Sequence, residues 1–572
     1  MTARDSFDSL VRELHDHRAR DPNRCVLMGI ERNLGELPDP SLSAATARAQ
    51  DAEALRARFS SLDRSALGFD DALDADLAEL LLAGEAHDAT YPVGDRAQRA
   101  RMPRAGDDIG DGVFLLLASD PRPEPDRLAD ITSRLERIPD YLGELEARLD
   151  EPIARWVAMD LEKIAELPSL FATVSEQAEA VGFADRERAA RARERAEVAL
   201  ERYARALRAM PTTSALHVGE ATARRIVELR GIDRSLEELH RWAREFLAQT
   251  RESIEALRAE LATKYALDSK ISVADLHREL NRRFRVRVED HGDIIEAVLS
   301  RYRAERDRVL GFISERDLFP IPADQDMSIL RTPGFMAPSI PAGAMMSPPP
   351  FRDGVKTSLI YLTLSEELLD EHTELGIPSM IVHEGIPGHH LQLATAAGHP
   401  SVVRRHIDAS EQAEGWTTML EEYMLDIGYM GELTSECRFA TYRELSRIGA
   451  RVAIDLFFMT GERGYLDVGV DCDLGSPDPF EAAGNLLAEV TGFVPERVQA
   501  ELNWYSQERG YPLCYLTGNR LVKELKRDMA ETQKGRLDGL DLDRRFHETY
   551  LTAGNMPVTY LRRVFRHQGL VR

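Results

Sequence analysis

The sequence predicts a mainly α protein of two helical lobes with a small antiparallel sheet near its histidine-rich helix. Three observations carry this. Helical spacing of apolar residues runs almost unbroken from Ser6 to about Arg308. A proline-rich stretch then interrupts it, with Pro320, Pro322, Pro333, Pro338, Pro341, Pro348, Pro349 and Pro350. One strand-like run follows, Thr357–Leu364, rich in Leu, Ile, Tyr and Thr, before helices resume at Pro378. These breaks divide the chain into a helical N-terminal lobe (1–319), a connection (320–355) and a C-terminal lobe (356–572).

Within the first lobe, Ser272 is placed to cap a helix opening at Val273, because its hydroxyl accepts the backbone N–H groups that a helix start leaves free. The stretch from Phe183 to Met210 is mostly Ala, Arg and Glu and reads as a long exposed helix held by charge pairs four residues apart. Acidic residues alternate with its arginines, which excludes a nucleic-acid helix. The connection reads as irregular, and such long loops often cross between subdomains or cover sites. Thr357–Leu364 reads as an edge strand, whose free backbone groups could pair with an extended peptide.

Composition narrows the function. Lys+Arg of 73 against Asp+Glu of 98 leaves a net charge of −25, which argues against nucleic acid or an anionic membrane as partner. The first residues, Thr2-Ala3-Arg4-Asp5, begin no apolar targeting core. Cys25, Cys437, Cys472 and Cys514 are scattered, with neither metal spacing nor a disulfide framework, so a reducing cytoplasm is expected. No nucleophile elbow, phosphate loop or dinucleotide fingerprint occurs.

The chemistry concentrates in His383-Glu384-Gly385-Ile386-Pro387-Gly388-His389-His390. A zinc-protease helix sets two histidines one turn apart with a glutamate beside the metal, as H-E-x-x-H. Here Pro387 stands where the second histidine belongs. On a straight helix His383 and His389 would point about 120° apart and sit about 9 Å apart along the axis, and His390 would lie about 10 Å away. Zn–N bonds of about 2.0–2.1 Å cannot bridge such gaps. Pro387 cannot donate to the His383 carbonyl, however, and Gly388 accepts most backbone angles. A break at Pro387-Gly388 is therefore expected, and it could return a histidine to the metal side.

A third ligand is expected on the next helix, Ser410–Met424, whose apolar stripe is Ala413, Trp416, Leu420, Tyr423 and Ile427. Glu414 adjoins that stripe and follows His389 by 25 residues, whereas Glu411, Glu421 and Glu422 read as solvated. A carboxylate among buried residues needs a partner.

H-E-x-x-P-G-H-H-x-Q, closed by Gln392, followed by E-G-W, resembles the bacterial family known as domain of unknown function 885. The resemblance is strong over roughly the last 220 residues. More distantly the arrangement is similar to thimet oligopeptidase, carboxypeptidase Taq and angiotensin-converting enzyme. The likeness implies a gluzincin-like helical fold with a deep cleft and one Zn2+ held by His383, His389 and Glu414, with Glu384 as general base. His390 has no counterpart there and is open as a substrate contact, an alternative ligand or a support for one. Further family segments are matched by Arg451–Asp455, by Tyr511–Gly518, by Phe546-His547 and by Gly554–Pro557. Two positions depart from the pattern, Met459 where a histidine is usual and Lys526 where an arginine is usual.

Further candidates follow. Tyr515 could donate to an oxyanion. Asp455 could support a ligand histidine or pair with Arg451 on its own helix. Gln392 and Tyr361 are candidate supporting or substrate residues, and His547 reads as structural. The expected activity is metal-dependent hydrolysis of short peptides. A small non-peptide amide or a C–N bond cleavage is the alternative, and a metal-free helical binding protein is a second. Neither nucleic acid nor membrane is an expected partner.

Overall fold

The computed structural model describes residues 2–287, 293–332, 343–364, 369 and 372–572. Helices dominate. The longest, Leu236–Lys264, starts at Ser235, whose hydroxyl accepts the Glu238 N–H, and it packs along Thr434–Thr460. Ser272 caps Val273–Arg283 as expected, accepting from Asp275.

The Arg186–Ala209 helix differs from its sequence reading. It is not exposed all round. Ala189, Ala192, Ala196 and Ala199 bury one face, which lies against Glu124–Arg148. Alanine leaves so little side chain that the helices approach closely, and this face escapes a search for large apolar residues.

The sheet has three strands. Lys356–Leu362 is central, antiparallel to Gly343–Met346 and parallel to Gln325–Arg331. Two expectations are corrected here. The connection is not irregular throughout, because it contributes both flanking strands. The Thr357 strand is not an edge, since Gln325–Arg331 pairs along one side and Gly343–Met346 covers Leu359–Leu362 on the other. Pro333, Pro338 and Pro341 lie outside the described residues.

The large core draws on both sides of the connection, joining Phe59 and Trp242 to Trp416, Phe457 and Tyr550. A second core is built within residues 19–207. The candidate site is thus anchored to helices from both halves of the chain. Among the described residues no helix is long and apolar enough to cross a membrane.

Candidate metal centre

The helix breaks where Pro387-Gly388 required it. Gly376–Glu384 stops at Glu384, and His389–Ala397 starts five residues later. A Cβ at position 388 would overlap the carbonyl oxygens of His383 and Val382, so only glycine lets the chain double back this tightly. The indole N–H of Trp416 donates to the Pro387 carbonyl at 2.9 Å and holds the break in place. The His383 and His389 rings end 4.9 Å apart, centre to centre, at 86°.

Glu414 reaches them through a second close approach. Ser410–Asp426 crosses Cys514–Gln533 at Gly415 and Gly518. A Cβ on Gly518 would overlap the Glu411 carbonyl, and one on Gly415 would overlap the Gly518 backbone. The three residues of Glu-Gly-Trp therefore contribute differently. Glu414 faces the histidines, Gly415 admits the crossing helix, and Trp416 secures the break.

Tyr511, just ahead of the crossing helix, donates to Glu414 Oε1 at 2.7 Å. The other oxygen, Oε2, is buried with no hydrogen-bond partner among the described residues, although His389 Nε2 stands 3.3 Å away and His383 Nε2 3.7 Å away. One ligand atom from each of the three residues falls within 4.8 Å of the others. Bonds of about 2.0–2.1 Å at tetrahedral angles would set neighbouring ligands about 3.4 Å apart, so the 3.3 and 3.7 Å histidine–carboxylate separations fit a zinc ion. The orphaned carboxylate oxygen and the nitrogen–oxygen donor set fit it too.

The surroundings favour positive charge. His383 Nδ1 lies 2.8 Å from Glu421 Oε1, and Glu421 Oε2 accepts the Ser379 hydroxyl at 3.0 Å. Burial alone would depress His383, but the Glu421 hydrogen bond and the charges of Glu384, Glu421 and Glu414 push it up to about 9. Burial would likewise raise Glu414, yet His389 and His383, with the Tyr511 hydroxyl, hold it down to about 2. Three carboxylates around two imidazoles form a pocket suited to a cation.

Glu421 is the residue that sequence reading missed. Both it and Glu411 are buried rather than solvated. A signal for Glu421 exists, because it follows Glu414 by seven residues, two helical turns, and so shares its face. Glu411 Oε1 accepts the Val558 N–H instead.

The other candidates disperse. Glu384 is half-buried beside His383, with no hydrogen bond or ion pair among the described residues. Tyr515 lies under the Arg451 guanidinium, 4.3 Å away, with its ring 5.9 Å from that of Tyr511. His390 turns away from the triad. Its Nδ1 meets Ser358 Oγ at 2.7 Å and its Nε2 meets Gln325 Oε1 at 2.5 Å, which ties its helix to the sheet. Gln392 donates to Asn555 at 2.9 Å, in the Gly554–Pro557 segment. Tyr361 is buried in the central strand, paired with Leu330 and Ala344. Asp455 neither supports a ligand histidine nor pairs with Arg451. It accepts the backbone N–H groups of Gly510 and Leu513, both at 3.1 Å, and so fixes the turn that carries Tyr511. Arg451 is engaged instead by Tyr505 and Glu501. His547 is structural, stacked on Phe319 and bonded to the Leu318 carbonyl. Met459 is buried in the large core, and Lys526 pairs with Asp543 at 2.8 Å.

Two solved structures share this fold over nearly their whole length. One, a candidate lipoprotein of unknown function from Shewanella oneidensis, has a TM-score of 0.76 at 17% identity, covering 99% of this chain and 100% of that one. The other, a candidate lipoprotein from Colwellia psychrerythraea, has a TM-score of 0.77 at 16% identity, covering 100% and 99%. No curated protein matches the chain. The family model described as "Bacterial protein of unknown function (DUF885)" matches residues 22–565, far beyond the last 220 residues that carry the motifs, and the chain belongs to that family.

Proposed function

We propose that this chain is a zinc-dependent hydrolase that cleaves amide bonds in short peptides. One observation carries the reading. Two imidazoles and a carboxylate from three separate helices converge within 4.8 Å, beside Glu384, which has no hydrogen bond or ion pair among the described residues. Three protein ligands leave a fourth position open, which is the arrangement of catalytic rather than structural zinc sites.

His383, His389 and Glu414 would hold the ion. When bound, zinc supplies a Lewis acid and lowers the pKa of a water to about 7. Glu421 orients the His383 ring and strengthens it as a donor. Tyr511 occupies one oxygen of Glu414 and leaves the other aimed at the histidines. Glu384, unpaired and adjacent, takes the proton of the attacking water and passes it to the leaving amine. Tyr515 offers a hydroxyl to the oxyanion that develops on the substrate carbonyl.

Peptide hydrolysis by zinc-loaded protein tests this. Glu384→Gln, which keeps shape but removes the base, should lower kcat by at least about a hundredfold while zinc remains bound. Cleavage of non-peptide amides but not of peptides would move the substrate class. Full activity in Glu384→Gln, or hydrolysis that survives complete removal of zinc, would refute the reading.

A further inference from the structure

The turn from Arg509 to Leu513, which leads into the Cys514–Gln533 helix, is gripped from two sides. On one side stands Asp455, fully buried, with both carboxylate oxygens spent on backbone. Its Oδ1 accepts the Gly510 N–H and its Oδ2 the Leu513 N–H, each at 3.1 Å. On the other side stands Arg230, just past the Glu220–Leu229 helix. Its Nη2 donates to the Arg509 carbonyl at 3.1 Å, and its guanidinium lies 5.9 Å from the centre of the Tyr511 ring. Its Nη1 donates to the Ser410 hydroxyl at 3.4 Å, and Ser410 is the first residue of the helix that carries Glu414. One guanidinium thus touches both the turn and the Glu414 helix. Gly510 completes the fit, because its φ is +75° and a Cβ there would overlap Ile226 and Arg230. Arg509 in turn donates to the Leu216 carbonyl at 2.6 Å.

Burying a carboxylate is costly, so spending one on a single turn needs a reason. What the turn carries supplies it. Tyr511 donates to Glu414 Oε1 at 2.7 Å, and Glu414 Oε2 is the oxygen left facing His389 at 3.3 Å. Every step is a direct contact, from Asp455 and Arg230 to the turn, and from Tyr511 on that turn to Glu414. Such a hold matters because the terminal torsion of a glutamate is broad, whereas a functional group has to stay within about 0.5 Å of its working place.

We propose that Asp455 and Arg230 are positioning residues of the candidate metal centre, which set its zinc affinity by keeping the Tyr511 hydroxyl on Glu414. This rests on the zinc reading above. It adds the residues, one from each half of the chain, that prepare the third ligand.

Zinc affinity of the full chain, measured in competition with a chelator, tests this. Tyr511→Phe should weaken binding about 10- to 100-fold, as loss of a group that orients a ligand does. Asp455→Asn, equal in size, and Arg230→Met should each weaken it about tenfold. A merely structural role would lower stability without changing the affinity of the folded protein, or would add in full to Tyr511→Phe. The relay instead requires that neither change weaken binding by more than about twofold once Tyr511 is replaced by Phe. Unchanged affinity in both single variants, or full additivity in both double variants, would overturn the proposal. Should Asp455→Asn fail to fold, Arg230→Met, at a half-buried position, carries the test. Crystal structures of the metal-free protein give a second reading that needs no zinc. The Tyr511 hydroxyl should stay within hydrogen-bond distance of Glu414 in the natural protein and withdraw from it in Asp455→Asn and Arg230→Met. An unchanged contact in both variants would overturn the proposal. If the natural protein binds no zinc while the contact is lost in the variants, the zinc reading alone fails and the hold on Glu414 stands.

Discussion

The second core and the candidate metal centre solve opposite problems with different sets of helices. In the second core, Leu128, Ile131, Leu135, Ile138, Leu142 and Leu145 line one face of Glu124–Arg148. A charged residue buried there, Arg134, has every nitrogen satisfied: Nε by the Leu34 carbonyl, Nη1 by Asn23 and Nη2 by the Pro22 carbonyl. At the metal centre the helix is broken, the rings of His383 and His389 are brought together, and Glu414 Oε2 is left without a hydrogen bond among the described residues. Buried polar groups are normally paired. Arg134, fully satisfied, serves the fold, whereas the orphaned Glu414 oxygen stands among converging histidine nitrogens that could share an ion with it.

Four substitutions would break or sharpen this contrast. Gly388→Val should have the largest effect, because its side chain has no room between two backbone carbonyls. It should lose zinc binding and on the order of 5 kcal/mol of stability, read by metal analysis and denaturant unfolding. Leu135→Ala, in the second core, should cost about 2–5 kcal/mol in the same unfolding experiment yet leave zinc stoichiometry alone. If it lost zinc, the two regions would be one cooperative unit, and the contrast would fail. Glu421→Gln should weaken zinc binding about 10- to 100-fold in competition with a chelator, with little change in unfolding. The smallest effect belongs to Arg188→Ala. It removes a surface pair to Glu136, formed at 2.9 and 2.7 Å, and should cost no more than about 1 kcal/mol in a thermal melt.

Residues that act locally were legible in the sequence. The incompatibility of Pro387-Gly388 with a straight helix follows from bond geometry alone, and the break is where it was expected. Glu414 stood out because it adjoins a buried stripe. Residues that act through distant partners were not legible. Asp455 reads as half of an Arg–Asp pair until the Gly510–Leu513 turn is seen to dock on it. His390, set beside the ligands, acts on Ser358 and Gln325 in strands that precede it by 32 and 65 residues. The parallel pairing of the central strand is of the same kind, since Gln325–Arg331 reads as part of a loop until its partner is placed beside it. Glu421 shows a weaker failure. Its seven-residue spacing from Glu414 was visible, but it was read with Glu411 and Glu422 as solvated.

The most direct test of the metal centre is zinc content with X-ray absorption, on protein purified without chelator. About one zinc per chain is predicted, with nitrogen and oxygen neighbours at about 2.0–2.2 Å and no sulfur. The metal should be lost in both His383→Ala and Glu414→Ala. A protein that binds no zinc, or that holds it equally well in both variants, would contradict the account.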